Sequence, residues 1–379
     1  MANIIILGAG MVGSAMALDL AKIHSVCSCD LSEINLQRLA ERNPKIQTLL
    51  LDVSKPKELK SAIAPFDLVI SAVPGFLGFN TLKEIINCGK NVVDISFFPE
   101  NGLELDEFAR KKGVTAIIDC GVAPGMDNLI LGFHNEQMQL TDFECYVGGL
   151  PKIKKWPFNY KAPFSPIDVI EEYTRPARYV ENGKLVIKPA MSDVEHRYFD
   201  QLGTLEAFNS DGLRSIVHTM SHIPNMKEKT LRFPGHIQQI CALRDAGFLD
   251  QEPIEMNGKK ISPLEFTCNI LFKEWKLAED EPEFTVMQVR LLGTEKDGVK
   301  KEIVYELYDE YDPETRTSSM ARTTGYTATA AANMFLNGLF SEQGVFPPEL
   351  VGKEAACFHF ILNYLEERGI LYHRSDKII

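Results

Sequence analysis

The sequence lacks paired cysteine motifs, an excess of positive charge and any long apolar stretch. Its eight cysteines are scattered, and no Cys-x-x-Cys motif occurs among them, so we expect reduced thiols in a cytoplasmic protein and no metal site. The formal net charge of −12 argues against nucleic acid and anionic membranes as partners, because both need a basic surface. We expect neither a signal peptide nor a membrane span, since no apolar segment of the required length is present.

A glycine motif follows the short apolar run at 3–7. The motif consists of Gly8, Ala9, Gly10, Met11, Val12 and Gly13, and a segment with helical spacing follows it. In a dinucleotide-binding turn the first glycine makes the bend, the second lets the backbone approach the pyrophosphate, and the third allows close packing of helix on strand. The helix then directs its free N–H groups at the phosphates. The motif therefore predicts a dinucleotide site.

An acidic residue stands at the spacing that this motif needs. Asp30 closes the second predicted strand, twenty positions after Gly10, where a carboxylate accepts hydrogen bonds from the adenosine ribose. The residues after Asp30 include no nearby arginine to neutralise a 2′-phosphate, so we expect NAD rather than NADP as the cofactor. The alternative is that Asp30 only opens a turn.

Strand-like and helix-like segments alternate over roughly the first 120 residues, as in βαβ units. The unbroken apolar runs are typical of strands buried on both faces and predict an α/β fold with a Rossmann-like, doubly wound parallel sheet. Ligands of such sheets bind beyond the carboxyl ends of the strands. By this rule Asp52 faces the cleft and could hydrogen-bond the adenine edge, although it could instead be a turn residue, and Ala72, Val73 and Pro74 are expected beneath the nicotinamide ribose.

The pattern changes from about Phe143 onward to longer extended segments. A hairpin turn at 182–183 and a longer hairpin at 284–311 predict an α+β second domain with an open mixed or antiparallel sheet. Helices expected at 326–339 and 354–368 would pack back on the first domain. We therefore expect a dinucleotide-binding domain at 1–122 and 325–379, and a substrate-binding and dimerisation domain at 123–324. A homodimer would cover the open sheet.

Several further motifs run in order over most of the chain. They are Val-Asp-Ile-Ser at 93–96, the ten residues at 119–128, Tyr-Val-Gly-Gly-Leu-Pro at 146–151, and the segments 157–161, 211–214, 230–236 and 320–325. Together they resemble the saccharopine dehydrogenase-like family, especially its L-lysine 6-dehydrogenase and saccharopine reductase members. The resemblance implies an NAD(P)-dependent oxidoreductase that acts on the C–N bond of a small amino-acid substrate. We expect lysine 6-dehydrogenase-like activity first and saccharopine reductase activity second; the alternative from another class is a non-catalytic NAD-binding redox sensor.

Four residues are candidates for a catalytic role. Asp94 ends a buried strand and would have a raised pKa, although it could instead tie the strand to a loop. Asp127 could hold or deprotonate the substrate ammonium, or cap the following helix. Cys120 could contact the nicotinamide or act as an acid, or be a small buried apolar group. His236 could be a general acid near neutral pH, or a first-turn residue of the helix that runs to 245.

A substrate carboxylate needs a guanidinium, which can bind it through two parallel hydrogen bonds. Arg214 and Arg232 lie in family-like motifs, and Arg232 is favoured because the chain turns beside it at 234–235. Tyr160 and Lys161 lie in a loop rich in proline and aromatic residues, a composition that suits a pocket wall but also an ordinary packed loop. Asn128 is assigned to the substrate site with its neighbour Asp127.

Overall fold

The computed structural model describes residues 1–278 and 280–379, which build two large sheets with helices around them. In chain order the strands are β1 Asn3–Leu7, β2 Ser25–Asp30, β3 Gln47–Leu50, β4 Leu68–Ser71, β5 Val92–Asp94, β6 Thr115–Ile117, β7 Met138–Pro151, β8 Ala177–Glu181, β9 Lys184–Lys188, β10 Glu195–Phe199, β11 Gly203–Asn209, β12 Asn225–Arg232, β13 Ile254–Met256, β14 Lys259–Ile261, β15 Glu283–Glu295, β16 Lys300–Glu310, β17 Gly344–Phe346 and β18 Tyr372–Ile378. The α-helices are α1 Met11–Leu20, α2 Glu33–Arg42, α3 Pro56–Ile63, α4 Gly75–Asn87, α5 Asp106–Lys112, α6 Met126–Asn135, α7 Pro166–Thr174, α8 Ile216–Thr219, α9 His236–Asp245, α10 Pro263–Trp275, α11 Ser319–Leu336, α12 Pro348–Gly352 and α13 Ala355–Glu366.

The first sheet is parallel throughout, in the order β17-β6-β5-β4-β1-β2-β3. From β1 the chain first adds strands on one side, through β2 and β3, and then on the other side, from β4 to β6. The order therefore reverses between β1 and β4, which creates a crevice at their carboxyl ends. The central strands are apolar and buried because helices cover both faces. The predicted Rossmann-like doubly wound sheet is confirmed.

The second sheet is mixed, in the order β10-β11-β12-β7-β15-β16-β18, with the β8–β9 hairpin attached to β12. Only the β12–β7 pair is parallel among the described pairs of this path. The predicted hairpin at 182–183 is present, with positive φ at Asn182 and Gly183 as an Asn-Gly turn requires. The α+β second domain with a mixed sheet is confirmed.

The last part of the chain joins both sheets. Helix α11 packs along α1, strand β17 extends the first sheet beside β6, and β18 then pairs with β16 in the second sheet. Helix α11 starts at Ser319, seven residues before the predicted start, because the hydroxyl of Ser318 accepts a hydrogen bond from the Ala321 N–H and caps it. The exact domain boundaries remain a proposal. None of the helices in the described part of the chain has the length and hydropathy that a membrane crossing requires.

Candidate active site

A cavity of about 700 Å³ lies between the two sheets. Its first wall consists of the loops that follow the six strands β1 to β6. Its second wall consists of β7, β12, the loop that follows β11, helix α7 with the segments on either side of it, and the first turns of α11. The cavity thus joins the crevice where a parallel sheet binds nucleotides to a polar pocket of the second domain.

The glycine motif has the geometry of a dinucleotide-binding turn. Gly8 has φ +112°, and a Cβ there would lie 2.5 Å from the carbonyl oxygen of Ala72. A Cβ on Gly13 would lie 2.1 Å from the carbonyl oxygen of Gly8, so only glycine lets α1 pack this close. A Cβ on Gly10, by contrast, would meet no described atom within 4 Å. The open space beside Gly10, at the amino end of α1, therefore fits a pyrophosphate.

The residues predicted to bind the cofactor surround the same crevice. Asp30 lines the cavity, and its carboxylate accepts hydrogen bonds from the N–H groups of Ala9 (2.7 Å) and Ser32 (2.7 Å). These bonds fix the carboxylate and leave lone pairs for ribose hydroxyls. The other lining residues from the prediction are Gly8, Gly10, Met11, Val12, Gly13, Asp52, Ala72, Val73 and Pro74. These residues fit NAD(P). Ala9 is not among the lining residues, and its backbone N–H instead holds the carboxylate of Asp30 in place.

Strand β12 presents alternate residues to the cavity. Glu228, Thr230 and Arg232 all line it, because every second side chain of a strand points to the same face. At about 3.3 Å per residue, the first and last of these are about 13 Å apart along the strand. This face therefore carries a carboxyl group at one end and a guanidinium group at the other.

Arg232 is held by a chain of hydrogen bonds. Its Nε donates to the hydroxyl of Tyr173 (3.0 Å), and its Nη2 donates to Glu172 (2.8 Å) and to the hydroxyl of Tyr160 (3.4 Å). The Tyr173 hydroxyl donates to Nε2 of His236 (2.9 Å), whose Nδ1 donates to the Phe158 carbonyl (2.9 Å). Most of the guanidinium N–H groups thus already have partners.

His236 differs from the expected general acid. Burial and the charge of Arg232 lower its pKa to about 3, so the ring is neutral near pH 7. Both ring nitrogens are engaged, and the residue opens α9, as the alternative interpretation expected. Its geometry is that of a positioning residue that orients Tyr173 and, through it, Arg232.

Arg175 is a guanidinium that sequence reasoning missed. It follows α7 and lines the cavity, with a side chain 14% exposed. Its Nη2 donates to Glu171 (3.0 Å), and the group lies over the ring of Phe97 (5.0 Å). Its Nη1 is buried and has no hydrogen-bond partner within residues 1–278 and 280–379. A buried N–H group without a partner costs folding free energy, so this nitrogen is suited to donate a hydrogen bond to a ligand oxygen.

Asp127 lies one layer behind the cavity wall. It is in the first turn of α6, where its Oδ1 accepts a hydrogen bond from the Gly125 N–H (2.9 Å). Acceptor atoms of Asp127, Glu228 and Cys145 lie within 4.8 Å of one another, and all three residues are buried. Burial raises the pKa of Asp127 to about 7 and that of Cys145 well above its usual range.

Asp94 and Cys120 are also buried behind the wall. Asp94 accepts hydrogen bonds from the N–H (2.9 Å) and hydroxyl (3.2 Å) of Ser96, which itself lines the cavity. Burial raises the pKa of Asp94 to about 7, in the direction that the sequence predicted. Burial also raises the pKa of the Cys120 thiol to about 12, so this group is protonated. Contact of either side chain with a substrate remains a prediction.

Three predicted substrate residues serve other contacts in the described part of the chain. Arg214 donates to Asp119 (2.8 Å) and to the Phe98 carbonyl (2.5 Å), and so joins the two sheets. Asn128 donates to Glu349 (3.0 Å). Lys161 donates to the carbonyl oxygen of Glu274 at the protein surface. Tyr160 is buried against Arg232, 4.4 Å from ring centre to guanidinium, and positions it.

Comparisons with known proteins agree with this geometry. Residues 4–117 match the model of the saccharopine dehydrogenase NADP binding domain, and residues 121–370 match that of the saccharopine dehydrogenase C-terminal domain. The chain is 24% identical to the NADP(+), L-glutamate-forming saccharopine dehydrogenase of Schizosaccharomyces pombe, over 80% of this chain and 84% of the relative. It is also 24% identical to the mitochondrial alpha-aminoadipic semialdehyde synthase of Rattus norvegicus, over 99% of this chain but only 48% of that protein, about half its length. The fold is similar to that of the apo L-Glu-forming saccharopine dehydrogenase from Saccharomyces cerevisiae, with a TM-score of 0.79, 22% identity and full coverage of both chains.

Proposed function

The chain belongs to the saccharopine dehydrogenase family of NAD(P)-dependent amino-acid oxidoreductases, and we propose that it makes or breaks the C–N bond of a saccharopine-type secondary amine. The relatives support this reaction more than the lysine 6-dehydrogenase activity that the sequence placed first. The observation that carries the proposal is the single cavity in which the dinucleotide turn and the polar face of β12 meet. Bound NAD(P) would supply the hydride acceptor or donor.

The residues of the second wall give the substrate its orientation. Arg175, whose Nη1 has no hydrogen-bond partner in the described part of the chain, and Arg232 both line the pocket and suit the carboxylates of an amino acid. Glu228 stands at the other end of the β12 face from Arg232 and suits the protonated nitrogen of the C–N bond that reacts. A substrate held in this way would bring its reacting C–N bond toward the end of the cavity where Glu228 stands; the turn at 121–124 that follows β6 also lines this cavity.

We propose NAD as the preferred cofactor. The carboxylate of Asp30 accepts bonds from two backbone N–H groups and faces the cavity, where a 2′-phosphate would meet its charge. The relative from Schizosaccharomyces pombe is named for NADP(+), and the matching domain for NADP binding. The proposed preference for NAD over NADP therefore rests on the negative charge of Asp30 in this chain, and not on the names of its relatives.

Oxidation of lysine itself is the second candidate, and the charge of the pocket favours it. Beyond the nucleotide turn the cavity is lined by two arginines, Arg175 and Arg232, and by more acids, namely Asp119, Asp168, Glu171, Glu172, Asp211 and Glu228. Lysine carries two ammonium groups and one carboxylate, whereas saccharopine carries three carboxylates. The acidic pocket is better matched to lysine, while the family relatives favour saccharopine.

One assay separates these candidates. Purified protein is mixed with NAD or NADP and with saccharopine or lysine, and the absorbance of reduced nicotinamide is followed. We expect turnover of saccharopine with NAD. Turnover of lysine alone would replace the first candidate by the second. Binding of NAD without turnover of either compound would contradict both and favour a redox sensor.

A further inference from the structure

We propose that Glu228 is the catalytic residue that exchanges a proton with the substrate nitrogen. This inference rests on the proposed C–N chemistry and assigns a role within the same site. Glu228 lines the cavity, is only 4% exposed, and has an Oε2 without a hydrogen-bond partner in the described part of the chain. Of the other acids that line the cavity beyond the nucleotide turn, Asp119, Glu171, Glu172 and Asp211 each have an arginine partner. Asp168, in the first turn of α7, is instead hydrogen-bonded to Ser165 and to the backbone of Gly75. Among residues 1–278 and 280–379, no cationic side chain lies within hydrogen-bond or ion-pair distance of the Glu228 carboxyl group.

The place of Glu228 in the fold brings it to the reacting end of the substrate. It packs against Gly212, where a Cβ would lie 1.8 Å from Oε1, so the backbone holds the carboxyl group in position. It lies within 4.8 Å of Asp127, whose carboxylate is bonded to Gly125 at the end of the cavity-lining turn that follows β6. In a doubly wound sheet the ligand lies against this strand end. Glu228 therefore faces the region that the substrate nitrogen and nicotinamide would share.

The proton and electron balance is as follows. In the oxidative direction the substrate ammonium gives one proton to the Glu228 carboxylate, which leaves a lone pair on nitrogen. The adjacent carbon then loses a hydride, with its two electrons, to NAD(P), and the lone pair forms the C=N bond. Water adds to this carbon and releases a proton to solvent. The carboxylic acid of Glu228 returns its proton to the nitrogen as the C–N bond breaks, and the hydroxyl proton of the carbinolamine passes to the departing amine, giving a neutral carbonyl compound, an ammonium group and the Glu228 carboxylate.

The surroundings of Glu228 favour its protonated form before the substrate binds. Burial, followed by the negative charges of Asp127, Asp211 and Glu172, raises the pKa of Glu228 well above its usual range. The titratable and charged groups that face it from neighbouring elements are Asp127 on α6, Cys145 on β7, Glu172 on α7, Tyr179 on β8, Asp211 after β11, Arg214 before α8, and Arg232 along its own strand. An arriving ammonium group stabilises the carboxylate, so substrate binding should release a proton.

The test compares wild-type protein with Glu228→Gln, Glu228→Asp and the control Glu144→Gln. Glu144 lies on β7 beside Cys145, but it points to the opposite face and pairs with Arg197, Lys227 and Arg290. Three quantities are measured: the pH profile of kcat and kcat/KM, the affinity for NADH, and the protons released when lysine or saccharopine binds in the presence of NAD. The last quantity comes from calorimetry in buffers of different ionisation enthalpy.

We expect Glu228→Gln to lower kcat by about 100-fold or more, to leave the NADH affinity unchanged, and to abolish the proton release. The wild-type oxidation rate should rise with pH through the raised pKa of Glu228, and the reductive rate should fall over the same range. Glu228→Asp should keep the rise of the oxidation rate and the fall of the reductive rate with pH, both at a reduced kcat. Glu144→Gln should behave as wild type.

Two results would overturn the assignment: a Glu228→Gln protein with kcat within threefold of wild type and an unchanged pH profile, or wild-type binding of both amines without proton release. If Glu228→Gln fails to fold, the pH profile of kcat for Glu228→Asp and the proton release of the wild type still test the assignment of Glu228. Failure of the proposed function looks different, because no amine is then turned over by the wild type. Proton release that depends on Glu228 would in that case still identify it as the group that meets the amine.

Discussion

At the scale of single residues, the buried and unpaired Nη1 of Arg175 distinguishes it from Arg232, most of whose guanidinium N–H groups already have partners. We expect Arg175→Met to raise the KM for a carboxylate-bearing substrate about 10- to 100-fold, the loss of one or two hydrogen bonds to a charged group. Initial-rate kinetics measure this change, with Arg197→Met as the control because Arg197 pairs with Glu144 and stacks on Tyr146 instead. An equal loss with a substrate analogue that lacks the carboxylate would contradict the assignment.

The second residue-scale prediction concerns cofactor choice at Asp30. Replacing Asp30→Asn removes the charge that faces the ribose, so we expect NADH affinity to fall about 10-fold or more and the gap between NADH and NADPH to narrow. Fluorescence titration with both reduced cofactors measures the two dissociation constants. Glu33→Gln, which changes an exposed acid at the start of α2, should leave both values unaltered. Tighter binding of NADPH than NADH by the wild type would show the preference to be wrong.

The two kinds of site residue differed in how far the sequence could predict them. The glycines and Asp30 were predictable because their spacing follows from the geometry of one turn and two adjacent strands. Arg175 and Glu228 were missed because they reach the cavity only through the packing of α7 and β12 across the cleft. A signal for Glu228 did exist: once Arg232 was a candidate on an extended segment, the two-residue period placed Glu228 on its face.

At the scale of elements, Asp19 connects α1 to α11 and α13. Its buried carboxylate accepts hydrogen bonds from Thr329 (2.8 Å), Tyr364 (2.7 Å) and Arg368 (2.9 Å). We expect Asp19→Asn to lower the free energy of unfolding by about 3 kcal/mol, because it leaves Arg368 without its buried partner. Chemical denaturation measures this, and Lys22→Met, which removes only the exposed partner of Asp19, should cost less than about 1 kcal/mol.

The same carboxylate predicts a pH dependence of stability. Burial raises the pKa of Asp19, but the charge of Arg368 and the bonds from Tyr364 and Thr329 outweigh this, so the pKa lies below its usual range. A lowered folded-state pKa stabilises the protein above the unfolded-state value near about 4, and that stabilisation disappears as pH falls through the folded-state pKa. The stabilities of wild type and Asp19→Asn should therefore begin to converge below about pH 4 and become equal once the pH is below the lowered folded-state pKa of Asp19; a difference that stays undiminished through this range would contradict this origin.

Among the elements, those with a strong local signal were predicted well. The hairpins at β8–β9 and β15–β16 follow from turn chemistry, and the parallel strands follow from apolar runs. The start of α11 was missed because Thr315 to Thr324 is rich in hydroxyl residues, which also favour turns, and only Ser318 caps the helix. The pairing of β18 with β16 has no local signal, since the two strands are far apart in sequence.

At the scale of the whole molecule, the cavity draws lining residues from both sheets, so a bound cofactor should stabilise the entire fold. At a concentration of about 100 times Kd, NADH should add about 2.7 kcal/mol to the free energy of unfolding. Differential scanning calorimetry should show a higher Tm with NADH and no change with adenosine alone at the same concentration. An unchanged Tm with saturating NADH would contradict binding in the native cleft.

The oligomeric state remains a prediction of the sequence. In the described chain β10 and β18 are the two ends of the second sheet, and a sheet edge offers unpaired N–H and C=O groups to a second copy. Sedimentation equilibrium measures the mass in solution, and we expect twice the chain mass. A monomer at all concentrations would show the predicted homodimer to be wrong.

The route of the chain between the sheets limits how the cleft can open. The backbone passes from the first sheet to the second after β6, returns at α11 and β17, and passes over again to reach β18. Three tethers restrain relative rotation far more than one flexible linker would. We therefore expect nucleotide exchange to proceed by slight bending of the backbone at these three passages. A large rotation of one sheet away from the other would require the hydrogen bonds between β16 and β18 to break.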